Sequence, residues 1–134
     1  MKVVIIMGSE SDREFAQKII NDLEKFSISY DVNVASAHKQ PLEVLNIIKS
    51  NAAEKGVVYI TIAGRSNALS GFVAANSNSP VIACPPFKDK TDMLVNIQST
   101  LQMPSNAPVF TILDPGNCAL AVKRILELGQ GEQC

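Results

Sequence analysis

The stretch Lys2-Val3-Val4-Ile5-Ile6-Met7-Gly8-Ser9-Glu10-Ser11-Asp12 indicates the architecture of the whole chain. Apart from its first lysine, Lys2–Met7 is apolar throughout, which is typical of a strand covered on both faces. Gly8–Asp12 then supplies a turn glycine and polar residues that suit the start of a helix. A buried strand that leads directly into a helix predicts a βα unit.

The same alternation of β-branched runs and helical periodicity continues along the chain. Strands are predicted at Lys2–Met7, Tyr30–Ala35, Val57–Ala63, Val81–Cys84 and Val109–Leu113. Because helical crossovers join them, the strands must be mostly parallel, and right-handed crossovers place helices on both faces. We therefore predict a single α/β domain over residues 1–134, a three-layer doubly wound parallel sheet of flavodoxin-like order 2-1-3-4-5.

Helices are predicted in every connection. The apolar residues expected to face the sheet are Phe15, Ile19, Leu23 and Phe26 in the first helix, and Leu42, Leu45 and Ile48 in the second, which begins at Pro41. The later helices are predicted to end at about Asn76, Leu101 and Leu128, the middle one being capped by Asp89 or Thr91.

Composition excludes several classes of function. The 134 residues carry 12 Lys+Arg against 13 Asp+Glu, a net charge of −1, so the basic surface typical of nucleic-acid proteins is absent. With 46% hydrophobic residues the chain can bury a core without disulfide or metal staples. No apolar run is long enough to span a bilayer and the opening run is too short for a signal peptide, so we expect a cytoplasmic protein without a membrane partner.

The cysteines and the histidine give no metal-ligand pattern. Cys84, Cys118 and Cys134 are odd in number and widely spaced, so they are interpreted as reduced thiols, Cys84 as an inert buried one. His38 is the only histidine in the chain. A zinc site would have to draw on this scattered set, and no metal is therefore expected.

Three polar segments are predicted to meet at one edge of the sheet. Gly8–Asp12, Ser36–Gln40 and Gly64–Asn67 each follow a strand, and ligands of doubly wound sheets bind beyond the carboxyl ends of the strands, where the winding reverses. The connectors on the opposite edge, such as 27–29 and 54–56, carry no comparable residues. This asymmetry predicts a ligand site.

Each segment also has a structural interpretation. The glycine and hydroxyls of Gly8–Asp12 suit a phosphate, but Ser9 or Ser11 can equally be a simple N-cap with Asp12 favouring the helix dipole. A lone loop histidine such as His38 is often only a surface residue, and Lys39 can either bind a phosphate or remain solvated. In Gly64–Asn67, a glycine, a guanidinium and two polar side chains can read a polar ring, or Ser66 or Asn67 can cap a helix.

From the residues alone, the site predicts a small phosphate-bearing ligand with a ring, and His38 is the one side chain suited to proton transfer.

At these residues the sequence resembles the PurE family of purine biosynthesis, whose members carboxylate aminoimidazole ribonucleotide or isomerise its carboxyamino derivative. The resemblance rests on Met7-Gly8-Ser9-Glu10-Ser11-Asp12, on Ala35-Ser36-Ala37-His38-Lys39-Gln40-Pro41 and on Gln102-Met103-Pro104, and it extends in order from Lys2 to about Leu128.

The segment after the third strand separates two classes of that family. The mutases have GAGGAAHLPG there, with a second histidine, whereas this chain has Ala63-Gly64-Arg65-Ser66-Asn67 without one. This pattern, together with Lys39 where the mutases have arginine and Cys84-Pro85-Pro86 after the fourth strand, is similar to the class II enzymes, which are direct carboxylases using carbon dioxide.

The resemblance implies a role for each site residue. His38 would be the general acid and base. The phosphate would be held by Gly8, Ser9, Ser11, Ser36 and Lys39, and Asp12 would accept hydrogen bonds from the ribose hydroxyls. Ala37 is also expected among the substrate-binding residues. Ala63, Gly64, Ser66 and Asn67 would lie against the aminoimidazole and the carbon dioxide. Arg65 has no assigned role.

The implied reaction joins aminoimidazole ribonucleotide and carbon dioxide without a cofactor, in a homo-oligomer. Three alternatives remain open: a mutase acting on the carboxyamino isomer, a related carboxylase acting on a different nucleotide, and a nucleotide-binding regulatory module without catalysis.

Overall fold

The computed structural model describes residues 1–131, so Cys134 lies outside the described residues. The strands are β1 (Lys2–Met7), β2 (Tyr30–Val34), β3 (Val57–Ile62), β4 (Val81–Ala83) and β5 (Phe110–Thr111). All neighbouring strands pair in parallel, and their order across the sheet is β2-β1-β3-β4-β5. The predicted flavodoxin-like α/β sheet and its strand order are confirmed.

Helices cover both faces of the sheet. They are α1 (Arg13–Lys25), α2 (Pro41–Asn51), α3 (Leu69–Asn76), α4 (Lys90–Asn96), α5 (Gln98–Leu101) and α6 (Pro115–Gly131), and a short 3-10 turn at Glu10–Asp12 precedes α1. Residues of α1 and α6 pack with one face of the sheet, and residues of α2 and α3 pack with the other.

The central strand β1 supplies both halves of the core. Val3, Ile5 and Met7 point to the α1 and α6 side, whereas Val4 and Ile6 point to the α2 and α3 side, and all five are fully buried. Burying such a side chain contributes roughly 1.5 to 3 kcal/mol relative to leaving it in water. This two-sided burial explains why the run lacks the alternation of a half-exposed strand.

Three predicted helices differ from the structure, and the last of them, expected to end at about Leu128, extends to Gly131 as α6. Leu42, placed in the apolar stripe of α2, is 75% exposed, and Val44 and Ile48 are the buried residues of that helix. The single helix predicted to reach Leu101 is divided at Ile97 into α4 and α5. The Ser99 hydroxyl donates to the carbonyl of Asn96 at 3.0 Å, a local side-chain bond of the kind that competes with regular helix geometry.

The ends of several strands are shorter than predicted. β2, β3 and β4 each stop one residue early, and β5 covers only Phe110–Thr111 of the predicted Val109–Leu113. Asp89 caps α4, because its carboxylate accepts a hydrogen bond from the backbone N–H of Asp92 at 2.8 Å. Of the two caps considered for this helix, Asp89 is thus the one used.

Two cysteines lie together in the core. Cys84 and Cys118 are both fully buried, free of disulfide bonds and part of the same apolar cluster. Their mutual hydrogen bond, together with burial, raises the pKa of the Cys118 thiol.

Along residues 1–131, no helix combines the length and the apolar character that crossing a membrane requires.

Candidate active site

The loops after β1, β2 and β3 start side by side at one edge of the sheet. The backbone N–H of Gly8 donates to the carbonyl of Ile62 at 2.9 Å, and that of Ala35 donates to the carbonyl of Met7 at 2.9 Å. Since β1 lies between β2 and β3, this edge includes the point where the winding direction reverses. The three polar segments therefore meet where a doubly wound sheet binds its ligands.

A cavity of about 140 Å³ lies among these three loops; it is called the His38 cavity below. Its lining residues are Gly8, Ser9, Asp12, Ser36, Ala37, His38, Ala63, Gly64, Arg65, Ser66, Ala68 and Leu69. His38 itself is exposed, so its imidazole is open to a ligand and to solvent.

A second cavity of about 540 Å³ adjoins the first and is called the Lys88 cavity. It is lined by Ser9, Ser11, Asp12, Gly64, Arg65, Pro86, Phe87, Lys88 and Asp92. Ser9, Asp12, Gly64 and Arg65 line both cavities, so the two spaces form one continuous cleft. All three predicted loops and the segment after β4 line this cleft.

Nine of the twelve predicted site residues line the His38 cavity, and Ser11 lines only the Lys88 cavity. Lys39 and Asn67 line neither. Lys39 is exposed on the loop after β2 and directly follows His38 in the sequence. Asn67 is only 4% exposed and lies behind the cavity wall.

The hydroxyls of Ser9 and Ser11 form a linked pair. Ser9 Oγ accepts from the backbone N–H of Ser11 at 3.2 Å, and the two hydroxyl oxygens are 2.8 Å apart. One hydroxyl proton serves that bond, which leaves the other to donate to a ligand oxygen. Ser9 is therefore both the cap of the turn before α1 and a polar wall of the site.

The loop that carries His38 is closed by Ser36 and Gln40. The backbone N–H of Gln40 donates to the carbonyl of Ser36 at 2.7 Å, and that of Lys39 donates to Ser36 Oγ at 3.2 Å. The bond from Lys39 uses Ser36 Oγ as an acceptor and leaves its proton free to donate. Pro41 then starts α2, as predicted.

Gly64 allows the third loop to approach the segment after β4. A Cβ atom at this position would lie 2.9 Å from the backbone oxygen of Pro86, closer than real Cβ atoms approach such an atom. Only glycine therefore fits here without a shift of the backbone at Pro86. The loop forms the wall shared by the two cavities.

A buried polar network anchors the end of the same loop. The side-chain amide of Asn67 donates to Ser70 Oγ at 2.7 Å and to Thr100 Oγ1 at 3.1 Å, and its oxygen accepts from the backbone N–H of Ser70 at 3.1 Å. Ser70 Oγ lies 2.7 Å from Thr61 Oγ1. The Asn67 side chain is thus committed to the protein, in the manner of a helix cap for α3, rather than to the cavity.

Two carboxylates of the cleft have pKa values shifted in opposite directions. Burial raises the pKa of Asp12, and a hydrogen bond from the backbone N–H of Ser9 partly offsets that rise. The pKa of Asp92 is lowered, chiefly by the backbone N–H of Lys88, with contributions from the Asn96 amide and the nearby Arg65 guanidinium. Asp92 is therefore a firmly anionic residue, whereas Asp12 is the more easily protonated one.

The segment after β4 is part of the cleft but not of the site predicted from the sequence. Pro86, Phe87, Lys88 and Asp92 line the Lys88 cavity, and Arg65 connects it to the His38 cavity. The sequence signal that could have found this segment is the topology: β4 is parallel to β3, so the residues after both strands leave from the same edge of the sheet.

Among residues 1–131, no cluster of three or more histidine, cysteine or acidic side chains is arranged to hold a metal ion.

Comparison with known proteins agrees with this architecture. A sequence model of the AIR carboxylase (AIRC) family matches residues 2–133. A phosphoribosylaminoimidazole carboxylase of Archaeoglobus fulgidus is 50% identical over 128 residues, 96% of this chain and 70% of the relative. An N5-carboxyaminoimidazole ribonucleotide mutase of Methanocaldococcus jannaschii is 43% identical, covering 94% of this chain and 79% of the relative.

A solved structure has the same fold. The crystal structure of Treponema denticola PurE superimposes with a TM-score of 0.87 at 44% identity, over 94% of this chain and 80% of that chain. The sheet order, the loops at its carboxyl edge and the match along nearly the whole sequence agree with one another. The chain therefore belongs to the AIR carboxylase (PurE) family of purine biosynthesis.

Proposed function

We propose that this protein carboxylates aminoimidazole ribonucleotide directly with carbon dioxide, giving 4-carboxyaminoimidazole ribonucleotide. The observation that carries the proposal is the position of His38, the only histidine of the chain, in the cavity formed by the three loops. The loop after β3 offers no second histidine, which is the feature that the resemblance associates with direct carboxylases. The names of the Archaeoglobus fulgidus and Treponema denticola relatives agree with this reaction.

The electronics of the substrate make the carbon–carbon bond. The amino group on ring carbon 5 pushes electron density to carbon 4, which attacks the carbon of carbon dioxide. One pair of electrons of the carbon dioxide moves to oxygen and forms the carboxylate. Carbon 4 is then tetrahedral and still carries its hydrogen, and the ring has lost its aromaticity.

His38 takes the proton from that tetrahedral carbon. The electron pair of the broken carbon–hydrogen bond returns to the ring and restores its aromaticity, and His38 becomes an imidazolium. In the reverse direction the imidazolium returns the proton, after which carbon dioxide leaves. The exposure of His38 allows its proton to exchange with solvent between turnovers.

The remaining residues bind and orient the ribonucleotide. The hydroxyls of Ser9, Ser11 and Ser36 can donate to phosphate oxygens, and the positive charge of Lys39 attracts the same group. Asp12 would repel a phosphate, so a ribose diol is its better partner. With the phosphate and the ribose bound in this way, the aminoimidazole ring would lie against the wall formed by Gly64–Ser66.

The mutase reaction is the second candidate, because the Methanocaldococcus jannaschii relative bears that name at 43% identity. A mutase would move the carboxyl group of the carboxyamino isomer and would not use free carbon dioxide. The two reactions share the product and differ in the starting material.

A metal-free, ATP-free assay separates them. Formation of 4-carboxyaminoimidazole ribonucleotide is followed from aminoimidazole ribonucleotide with dissolved carbon dioxide and, in parallel, from the carboxyamino isomer, with protein-free controls for spontaneous conversion. We expect product from aminoimidazole ribonucleotide and carbon dioxide when no carboxyamino isomer is added. Product only from the isomer would identify a mutase, and product from neither would indicate another nucleotide or a binding role.

A further inference from the structure

We propose that Arg65 binds the carboxylate that the reaction places on the ring, and so distinguishes the carboxylated ribonucleotide from the uncarboxylated one. This inference rests on the proposed function and assigns a residue that the mechanism above does not use. Arg65 is one of four residues that line both the His38 cavity and the Lys88 cavity. It is the only cation among those four.

The Arg65 guanidinium is available to a ligand. Within residues 1–131 it makes no ion pair shorter than 4.0 Å, and it is exposed. The nearby Asp92 is already engaged, because its oxygens accept from the backbone N–H of Lys88 at 2.9 Å and from the Asn96 amide at 2.7 Å. Asp92 therefore attracts Arg65 electrostatically without occupying its donors.

The backbone that carries Arg65 is held on both sides. Gly64 before it packs against the Pro86 carbonyl, and Asn67 after it is anchored by Ser70 and Thr100. Much of the ordering of the loop is thus completed before a ligand arrives. An arginine on an ordered backbone loses less conformational entropy on binding than one on a free loop.

The chemistry of the reaction supplies a matching anion. Carbon dioxide is neutral, and a negative charge develops on its oxygens as the bond to ring carbon 4 forms. The carbon that receives the carboxyl group is the one that His38 deprotonates, so the carboxylate forms beside the cavity that His38 and Arg65 share. A guanidinium fits a carboxylate through two parallel hydrogen bonds and has no such partner in the uncarboxylated ring.

The test compares the two ribonucleotides in a chain that cannot interconvert them. Calorimetric titration in a His38→Asn background measures the affinity for aminoimidazole ribonucleotide and for 4-carboxyaminoimidazole ribonucleotide, before and after adding Arg65→Gln. We expect the second change to weaken the carboxylated ligand about ten- to a hundredfold and the uncarboxylated one by less than about twofold. Arg65→Lys should recover part of the lost affinity, because lysine keeps the positive charge but cannot form the two parallel hydrogen bonds of a guanidinium.

Arg124→Gln is the matched control, since Arg124 is an exposed arginine of α6 outside both cavities. Equal weakening of both ligands by Arg65→Gln would assign Arg65 to the phosphate and overturn the inference. Unchanged binding, or no binding of the carboxylated ligand to the parent, would overturn it as well. Failure of the proposed function appears separately, as the absence of carboxylation and decarboxylation by the wild-type chain.

Discussion

The side-chain amide of Asn67 donates to the hydroxyl of Thr100 at 3.1 Å and thereby ties the loop after β3 to α5. Both residues are buried, so the polar groups that bond to Asn67 cannot form hydrogen bonds to water in its place. Asn67→Ala should lower the free energy of unfolding by about 1 to 3 kcal/mol, because it leaves buried partners unpaired. It should also lower kcat, since the wall at Gly64–Ser66 loses its anchor; urea unfolding and steady-state kinetics measure the two effects.

Thr100→Val is the matched variant for that network. It removes one hydrogen bond but leaves the two between Asn67 and Ser70. Its losses in stability and kcat should both be smaller than those of Asn67→Ala. Wild-type stability in Asn67→Ala, or a larger effect of Thr100→Val, would contradict the anchoring role.

His38→Asn should abolish turnover while leaving ribonucleotide binding largely intact. It removes the proton acceptor but none of the groups expected to hold the phosphate, and general acid–base catalysis contributes typically about 10²- to 10⁴-fold. Initial rates and calorimetric titration measure the two quantities. Near-normal turnover in this variant would rule out the proposed mechanism, and a pure binding module would show no turnover in either form.

Asp12→Asn should weaken ribonucleotide binding, by roughly tenfold, because the amide is a poorer acceptor for ribose hydroxyls than a carboxylate. In the wild type, burial raises the pKa of Asp12, so the carboxylate is protonated at a higher pH than an exposed one. KM for the ribonucleotide should therefore rise as the pH falls through that pKa. Asp12→Asn should lack this component of the pH profile.

The same substitution should increase stability at neutral pH. A raised pKa in the folded state means that folding favours the protonated carboxyl, so this stabilisation is present at low pH and lost as the pH rises through the folded-state pKa. The wild type thus carries an unfavourable, partly buried charge at neutral pH that Asp12→Asn removes. Thermal unfolding at neutral and acidic pH should show the advantage of the variant shrinking as the pH falls.

Gly64→Ala should lower activity by displacing the wall that the two cavities share. The added Cβ would meet the Pro86 backbone at 2.9 Å, so one of the two segments must move. Gly129→Ala is the matched control, because a Cβ atom added there would meet nothing within 4 Å and alanine favours a helix interior by up to about 1 kcal/mol. A fall in kcat/KM for Gly64→Ala with wild-type activity for Gly129→Ala is expected; equal activities would contradict the argument.

Much of the fold can be predicted because local pattern and global packing agree at β1. Its apolar run is buried on both faces, and Gly8 turns the chain where the apolar run gives way to the polar loop of the site. The prediction for Leu42 is wrong because a helical period allows more than one apolar stripe, and only the packing of α2 on the sheet selects Val44 and Ile48.

The candidate site can be predicted as three loops, but not as a cleft. Each of these loops follows a strand and contains unusual residues, so the topology alone brings them together. The Asn67 side chain points into the protein because it donates a hydrogen bond to Thr100, a residue far away in the sequence. Lys88 and Asp92 belong to the cleft through the position of β4 and have no motif of their own.

The packing of Gly64 against Pro86 has a consequence for the order in which the chain matures. During synthesis β1, β2 and β3 emerge before β4, so a nascent chain that ends at α3 already has the His38 loop but lacks the wall beyond Gly64. A ribonucleotide that spans both cavities would bind only after β4 has paired with β3. Its binding energy would then be added to that step of assembly, and the ligand would slow the loss of the β4 half of the sheet in particular.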